Sequence, residues 1–232
     1  MLFRSAHALY ETLTGRILLE HLNPSSLILS DGFRKSPVTL AIKRAMDLTI
    51  AILALIVTSP IVLLISVAIW LESGSPVLFR QKRVGLRGRE FEMLKFRSMY
   101  ADPQNSRQAS WTGDSDRRIT RVGKFIRRYR IDELPQMINV LLGDMSVVGP
   151  RPEQPFFCEL LEQEIPYYGQ RHCLRPGITG WAQVKYQYGA SVEETRVKLE
   201  HDLFYVKHLS FMLDIAIILE TLKVLASGRG SK

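Results

Sequence analysis

From Leu48 to Leu71 the chain runs 24 residues without a charge, and this apolar block dominates its hydrophobic pattern. At about 1.5 Å per residue a helix of that length covers roughly 36 Å, enough for a hydrocarbon core of about 30 Å. Two features oppose a simple crossing. Ser59-Pro60 stands mid-block, where proline removes a backbone donor and bends a helix. Both flanks are basic, with Lys43 and Arg44 before the block and Arg80, Lys82, Arg83, Arg87 and Arg89 after it. Such symmetry asks for both ends on the cytoplasmic side. A helix that enters, breaks at Ser59-Pro60 and returns satisfies both, with the freed backbone groups met by the Ser59 or Thr58 hydroxyl.

The remaining pattern divides the chain into a connector (1–38), the membrane helix (39–76), a mixed helical and hairpin domain (77–208) and a C-terminal apolar helix with its tail (209–232). In the connector, Leu9, Leu13, Ile17 and Leu18 keep helical spacing until Asn23-Pro24, and Asp31-Gly32 marks a turn. Val77 to Met99 predicts a β-hairpin turning at Gly85 and Gly88. Ala101 to Asp116 predicts a polar loop. Val122, Phe125, Ile126 and Tyr129 share one face of a basic helix over Arg121–Arg130. A further helix is predicted from Asp132 to Leu142, ended by Gly143, and another over Val192–Val206. The fold class is α/β and mostly helical: a re-entrant membrane helix, a small cytosolic domain with a hairpin, and surface amphipathic helices.

Charge then narrows the partners. The formal net charge is +8, which points to nucleic acid, an acidic membrane surface or phosphorylated substrates. Arg117 to Arg130 holds seven basic residues and no acid. Because the apolar segments tie the protein to membrane lipid, phosphate groups held at a membrane surface account for charge and anchor together, and nucleic acid is set aside. Arginine suits this role through its bidentate fork. Two isolated cysteines, Cys158 and Cys173, form neither a disulfide framework nor a zinc site. Charges throughout Met1–Pro24 exclude a secretory signal there.

Asp132 and Glu133 follow the basic cluster directly. Adjacent acids at a helix start commonly cap it and complement its dipole. They also permit chemistry: one carboxylate attacks phosphorus while the other holds a divalent cation, as magnesium binds through one or two carboxylates plus substrate phosphates.

Four ordered motifs decide between these readings: Lys95-Phe96-Arg97-Ser98-Met99, Arg130-Ile131-Asp132-Glu133-Leu134-Pro135-Gln136, Val148-Gly149-Pro150-Arg151-Pro152-Glu153 and Arg175-Pro176-Gly177-Ile178-Thr179-Gly180-Trp181. Together they closely resemble the bacterial sugar transferase family, the monotopic phosphoglycosyl transferases, from about Val38 to the C-terminus. The resemblance implies transfer of a sugar phosphate from a UDP-sugar to polyprenyl (undecaprenyl) phosphate, with UMP released. Asp132 is the implied nucleophile, forming an aspartyl phosphosugar, and Glu133 the implied Mg²⁺ ligand. Lys95, Arg97, Arg130, Arg151 and Arg175 are implied phosphate binders, and Asp202 a further active-site acid. The family's membrane anchor is likewise broken at a Ser-Pro pair, and the implied location is the bacterial inner membrane with the catalytic domain on its cytoplasmic face. Exopolysaccharide or O-antigen (lipopolysaccharide) assembly is the implied pathway, a homodimer is left open, and the sugar is not specified. The competing class is a membrane-tethered basic module that binds acidic lipid or nucleic acid without catalysis.

Overall fold

A computed structural model describes residues 9–22, 33, 35–100, 118–186 and 191–226. The predicted Asp31-Gly32 turn and the predicted polar loop (101–116) lie outside the described residues.

The apolar block sits inside one long helix, α1, Pro37–Ser73. Its start is prepared chemically. Ser36 accepts the Thr39 N–H at 3.1 Å, and Pro37 occupies a first-turn position whose missing donor costs nothing. Gly74, at φ 72°, ends it. Helical conformation continues through Ser59-Pro60, where the sequence predicts a break. Pro60 leaves the Ile56 carbonyl without its usual donor, and the Ser59 hydroxyl donates to that carbonyl at 2.8 Å. The helix tolerates the proline because its neighbour supplies the missing hydrogen bond.

Both ends of α1 are built into the same body. Near its start, Lys43 Nζ pairs with Asp214 Oδ2 at 2.8 Å, and Arg44 donates to the Val140 and Leu141 carbonyls at 2.6 and 2.9 Å. Asp47 Oδ1 accepts from Ser146 Oγ and the Val147 N–H, each at 3.0 Å. Near its end, Ile65 and Ile69 pack with Phe96 and Ile126. Glu72 caps the next helix, α2 (Arg121–Arg128), by accepting the Arg121 and Val122 N–H groups at 2.8 and 2.9 Å. Between buried Ala51 and buried Ile65, the side chains of Ile52, Leu53, Ile56, Val57, Ile61, Leu63 and Leu64 are exposed.

The predicted hairpin forms from β1 (Leu78–Val84) and β2 (Glu90–Phe96), registered from Leu78 opposite Phe96 to Val84 opposite Glu90. Helix α3 (Gln136–Leu142) ends at Gly143, φ 93°. It is tied to β2 by Asn139, whose Oδ1 accepts the Leu94 N–H at 2.9 Å and whose Nδ2 donates to the Glu92 carbonyl at 2.7 Å. Strands β3 (Ser146–Val148) and β4 (Gly177–Thr179) pair in parallel. A Cβ at Gly177 would lie 2.1 Å from the Gly149 nitrogen, so only glycine permits this approach. Helix α4 (Pro155–Glu164) covers β1, and short α5 (Trp181–Lys185) leads to α6 (Val192–His208) and α7 (Phe211–Ala226). The main core joins Ala51, Val140, Met145, Val148, Tyr205, Val206 and Ile217. In α7, Asp214 and Ile217 are buried, while Met212, Leu219 and Leu222 are exposed.

The N-terminal helical turn covers residues 9–14 and stops at Gly15, φ 64°, rather than near Asn23. Ile17, which helical spacing alone places on an extended helix, instead enters a core cluster with Leu19, Leu199 and Leu203.

Replacing Asn139 with alanine removes the partner of the part-buried Leu94 N–H and Glu92 carbonyl. At about 0.5–1.5 kcal/mol net for each hydrogen bond, Asn139→Ala is expected to cost about 1–3 kcal/mol in denaturant unfolding.

Candidate active site

The Asp132-Glu133 pair lies on a 3₁₀ turn, Ile131–Glu133, between α2 and α3. The sequence predicts instead that these residues open a helix reaching Leu142. Helix α3 begins only at Gln136, with Pro135 as its N-cap residue. Arg130, at φ 56°, turns the chain out of α2 in the left-handed region that few non-glycine residues adopt. Its carbonyl accepts the Glu133 N–H at 3.2 Å.

Glu133 is buried, and three cations converge on its Oε1: Arg151 at 3.2 Å, and Lys95 and Arg130 at 3.4 Å each. They come from three segments. Lys95 is on β2, Arg130 is in the turn after α2, and Arg151 follows β3. Burial alone would raise the Glu133 carboxyl, but Arg151, Lys95 and Arg130 overcome it and hold the group at about 2. Burial pulls Lys95 below the ordinary lysine value, with Glu133 opposing.

Asp132 is the contrasting member. Its Oδ1 is buried and has no hydrogen-bond partner among the described residues. Burial and then the Glu133 charge raise its carboxyl, against the pull of Lys95, Arg130 and Arg127. One acid is thus saturated with cations and its neighbour is left open.

The other expected site residues are not among the cations on Glu133 Oε1. Arg97 is buried and donates to the Ser73 and Gly74 carbonyls and to Ser73 Oγ, satisfying orphan acceptors at the end of α1 rather than joining the cations at Glu133. Arg175 Nε donates to the Gly143 carbonyl at 2.8 Å, at the end of α3. Asp202 is buried in an ion pair with Arg171 at 2.8 Å, and burial lifts its carboxyl to about 6 against the pull of Arg171. Arg171 escaped the sequence reading, yet it also donates to the Arg151 carbonyl at 2.8 Å and to the Tyr168 hydroxyl at 2.6 Å. A buried acid in α6 demanded such a partner, and that demand was the available signal. Ser59 and Pro60 remain in the exposed middle of α1.

The carboxylate pair suits a magnesium ion in one respect. All three cations meet Glu133 through Oε1, leaving Oε2 outside those contacts, and Asp132 Oδ1 is unpartnered. Among the described residues no three His, Cys, Asp or Glu side chains cluster as a metal cage. A hard cation here would therefore complete its shell with substrate phosphate oxygens and water. A separate cavity of about 240 Å³ between Thr39, Lys43, Met46 and Phe211 contains none of these groups.

The architecture is that of a small domain locked onto one long apolar helix, with a carboxylate pair ringed by cations. The bacterial sugar transferase family model matches residues 38–228, and the chain belongs to that family. Among its relatives is the UDP-N-acetylgalactosamine-undecaprenyl-phosphate N-acetylgalactosaminephosphotransferase of Aeromonas hydrophila, 48% identical over 224 residues, covering 96% of this chain and 52% of that protein. The UDP-glucose:undecaprenyl-phosphate glucose-1-phosphate transferase of Escherichia coli (strain K12) is 40% identical over 205 residues, covering 88% and 44%. The exopolysaccharide production protein PSS of Rhizobium leguminosarum bv. phaseoli is 41% identical over 197 residues, covering 82% and 98%. The chain thus spans about half the length of the first two of these relatives and nearly all of the third.

Glu133→Gln removes the charge that three cations share. Losing one partner of a buried pair costs roughly 3–5 kcal/mol; the exposure of Arg130 and Arg151 screens part of this, so about 2 kcal/mol is expected in denaturant unfolding. Because the folded carboxyl titrates at about 2, below its unfolded value, the wild-type advantage should be complete above about pH 4.5 and fade as pH falls toward 2.

Proposed function

We propose that this chain transfers a sugar phosphate from a UDP-sugar to polyprenyl (undecaprenyl) phosphate, giving UMP and a polyprenyl diphosphate sugar through an aspartyl phosphosugar. The observation that carries the proposal is the unpartnered, buried Asp132 Oδ1 beside a Glu133 saturated with cations. The names of the relatives support the substrate classes.

In the first step an Asp132 oxygen attacks the phosphorus bonded to the sugar. The bond from that phosphorus to the bridging oxygen breaks, and UMP leaves with the electron pair. In the second step a phosphate oxygen of the lipid attacks the same phosphorus and returns the Asp132 carboxylate. No net proton or electron is consumed, and one diphosphate linkage replaces another. Lys95, Arg130 and Arg151 hold phosphoryl oxygens and stabilise their growing charge, the main demand of phosphoryl transfer. A Mg²⁺ ion, held by Glu133 with the substrate phosphates, would neutralise charge on the diphosphate. Burial and then the Glu133 charge disfavour ionised Asp132, while Lys95, Arg130 and Arg127 favour it.

The proposal extends to topology. A re-entrant α1 has both ends on the cytoplasmic face of the inner membrane, with the catalytic domain beside them. Both ends of α1 pack on one body, and exposed apolar side chains run along the helix between those contacts, from Ile52 and Leu53 to Trp70 and Leu71. The exposed side chains of Phe125 and Tyr129 on α2 and of Met212, Leu219 and Leu222 on α7 extend this apolar surface. Initiation of exopolysaccharide or O-antigen assembly is the biological role that fits these substrates.

Asp132→Asn is expected to abolish UMP release from UDP-sugar, Mg²⁺ and polyprenyl phosphate without lowering Tm, because ionised Asp132 opposes folding here. Wild-type rates should rise with pH through a value above the ordinary aspartate range near 3.9. Absence of UMP from wild type across a panel of UDP-sugars would favour the non-catalytic lipid-binding module. In a Cys173→Ser background, single cysteines at Val38 and Ser75 should both react with an impermeant maleimide from the cytoplasmic side; labelling from opposite sides would restore a spanning helix.

A further inference from the structure

The N-terminal segment takes no part in the chemistry above, yet it is seated on α5 and α6 in a specific way. The Gly15 carbonyl accepts Trp181 Nε1–H at 2.6 Å and lies 2.9 Å from His201 Nδ1. Any side chain at Gly15 would place its Cβ 2.7 Å from the Trp181 ring, on a left-handed backbone. The Ile17 and Leu19 N–H groups donate to the Glu200 carbonyl at 3.1 Å and to its Oε1 at 3.2 Å. Glu11 pairs with Lys207 at 2.7 Å. Ile17 and Leu19 then fill one cluster with Val84, Tyr168, Leu199 and Leu203.

The same cluster borders the group that holds Arg151. Asp202 lies between His201 and Leu203 on α6 and pairs with Arg171, and Arg171 donates to the Tyr168 hydroxyl and the Arg151 carbonyl. The Val84 N–H donates to the Glu153 carbonyl at 2.9 Å, and Arg83 donates to that of Pro152 at 3.0 Å. Each residue flanking Asp202 therefore touches the N-terminal segment or its cluster, while Asp202 itself faces the cation that fixes the backbone of an active-site arginine.

We propose that residues 11–19 form a docked strap that sets the position of Arg151, with Asp202 and Arg171 as positioning residues in between. A displaced strap loosens α6 at Glu200 and His201, and Arg151 loses its anchor although no catalytic group has changed. Packed side chains and hydrogen bonds carry such coupling over short distances. The segment that leads into the catalytic body thereby acts as a control point for it. The activity consequence rests on the phosphosugar-transfer reading, whereas the structural coupling does not.

Gly15→Val in the full chain tests this, with Trp181→Phe as a milder variant that keeps the ring and deletes the donor to Gly15. Hydrogen–deuterium exchange should rise in 11–19, in 199–206 and in 149–153. The kcat for UMP release should fall about tenfold, within the range of mutations along coupled networks, with little change in KM. Asp202→Asn should loosen 149–153 and leave 11–19 protected. Ile69→Val, chosen to lower Tm from another cluster, should leave exchange at 149–153 unchanged. Faster exchange confined to 11–19 and 199–206 in Gly15→Val, with 149–153 and kcat as in wild type, would overturn the proposal. If wild type releases no UMP, exchange at 149–153 still decides the coupling, so the two readings fail separately.

Discussion

A carboxylate sealed from water has to be paired, and Glu133 meets that demand with Lys95, Arg130 and Arg151 on a single oxygen. This convergence draws β2, the turn after α2 and the loop after β3 to one point. It also fixes the contrast that makes chemistry available, because the cations that Glu133 gathers also face Asp132, whose Oδ1 has no hydrogen-bond partner among the described residues. Buried ion pairs are weak contributors to net stability. Here the pairing gives preorganised positive charge, which under the proposed reaction a diphosphate would meet without having to assemble it.

The surrounding fold is arranged to keep that point at an apolar boundary. Helix α1 is the longest described element, and each of its ends is fastened by polar contacts as well as by apolar packing, buried at its start and part-buried or exposed at its end. At one end, Lys43 and Asp47 meet Asp214, Ser146 and Val147. At the other, Glu72 and the terminal carbonyls meet α2 and Arg97. Such contacts fix orientation more strictly than side-chain packing does. Hence the exposed apolar middle of α1 and the Glu133 cluster belong to one rigid arrangement. In the proposed reaction a water-soluble nucleotide sugar and a lipid phosphate would reach the same carboxylate in turn.

Much of this was legible in the residues. The hairpin followed from apolar runs around Gly85 and Gly88, and α2 from Val122 and Ile126 on one face of a basic segment. Lys95, Arg130, Asp132, Glu133 and Arg151 stood in ordered motifs. Arg97 and Arg175 stood in the same motifs, and their hydrogen bonds to acceptors at the ends of α1 and α3 were not legible there, because a motif reports neighbourhood and not which acceptor a side chain meets. The start of α3 was misplaced since Asp132 resembled a capping residue, while Pro135 and the left-handed Arg130 shift the helix to Gln136. The Arg171–Asp202 and Lys43–Asp214 pairs span 31 and 171 positions in sequence, and no periodicity carries pairing over such distances. Nor did the spacing of Leu9, Leu13 and Ile17 disclose that the chain leaves the helix at Gly15, because the turn answers to the Trp181 ring.

The most direct measurement is mass spectrometry of the intact chain, and then of its peptides, after incubation with UDP-sugar and Mg²⁺ with the lipid acceptor withheld. The account requires a mass increase equal to one phosphosugar, located on Asp132 and discharged when polyprenyl phosphate is added. UMP release that occurs only with lipid present, with Asp132 unmodified at every time point, would contradict it and indicate direct attack by the lipid phosphate.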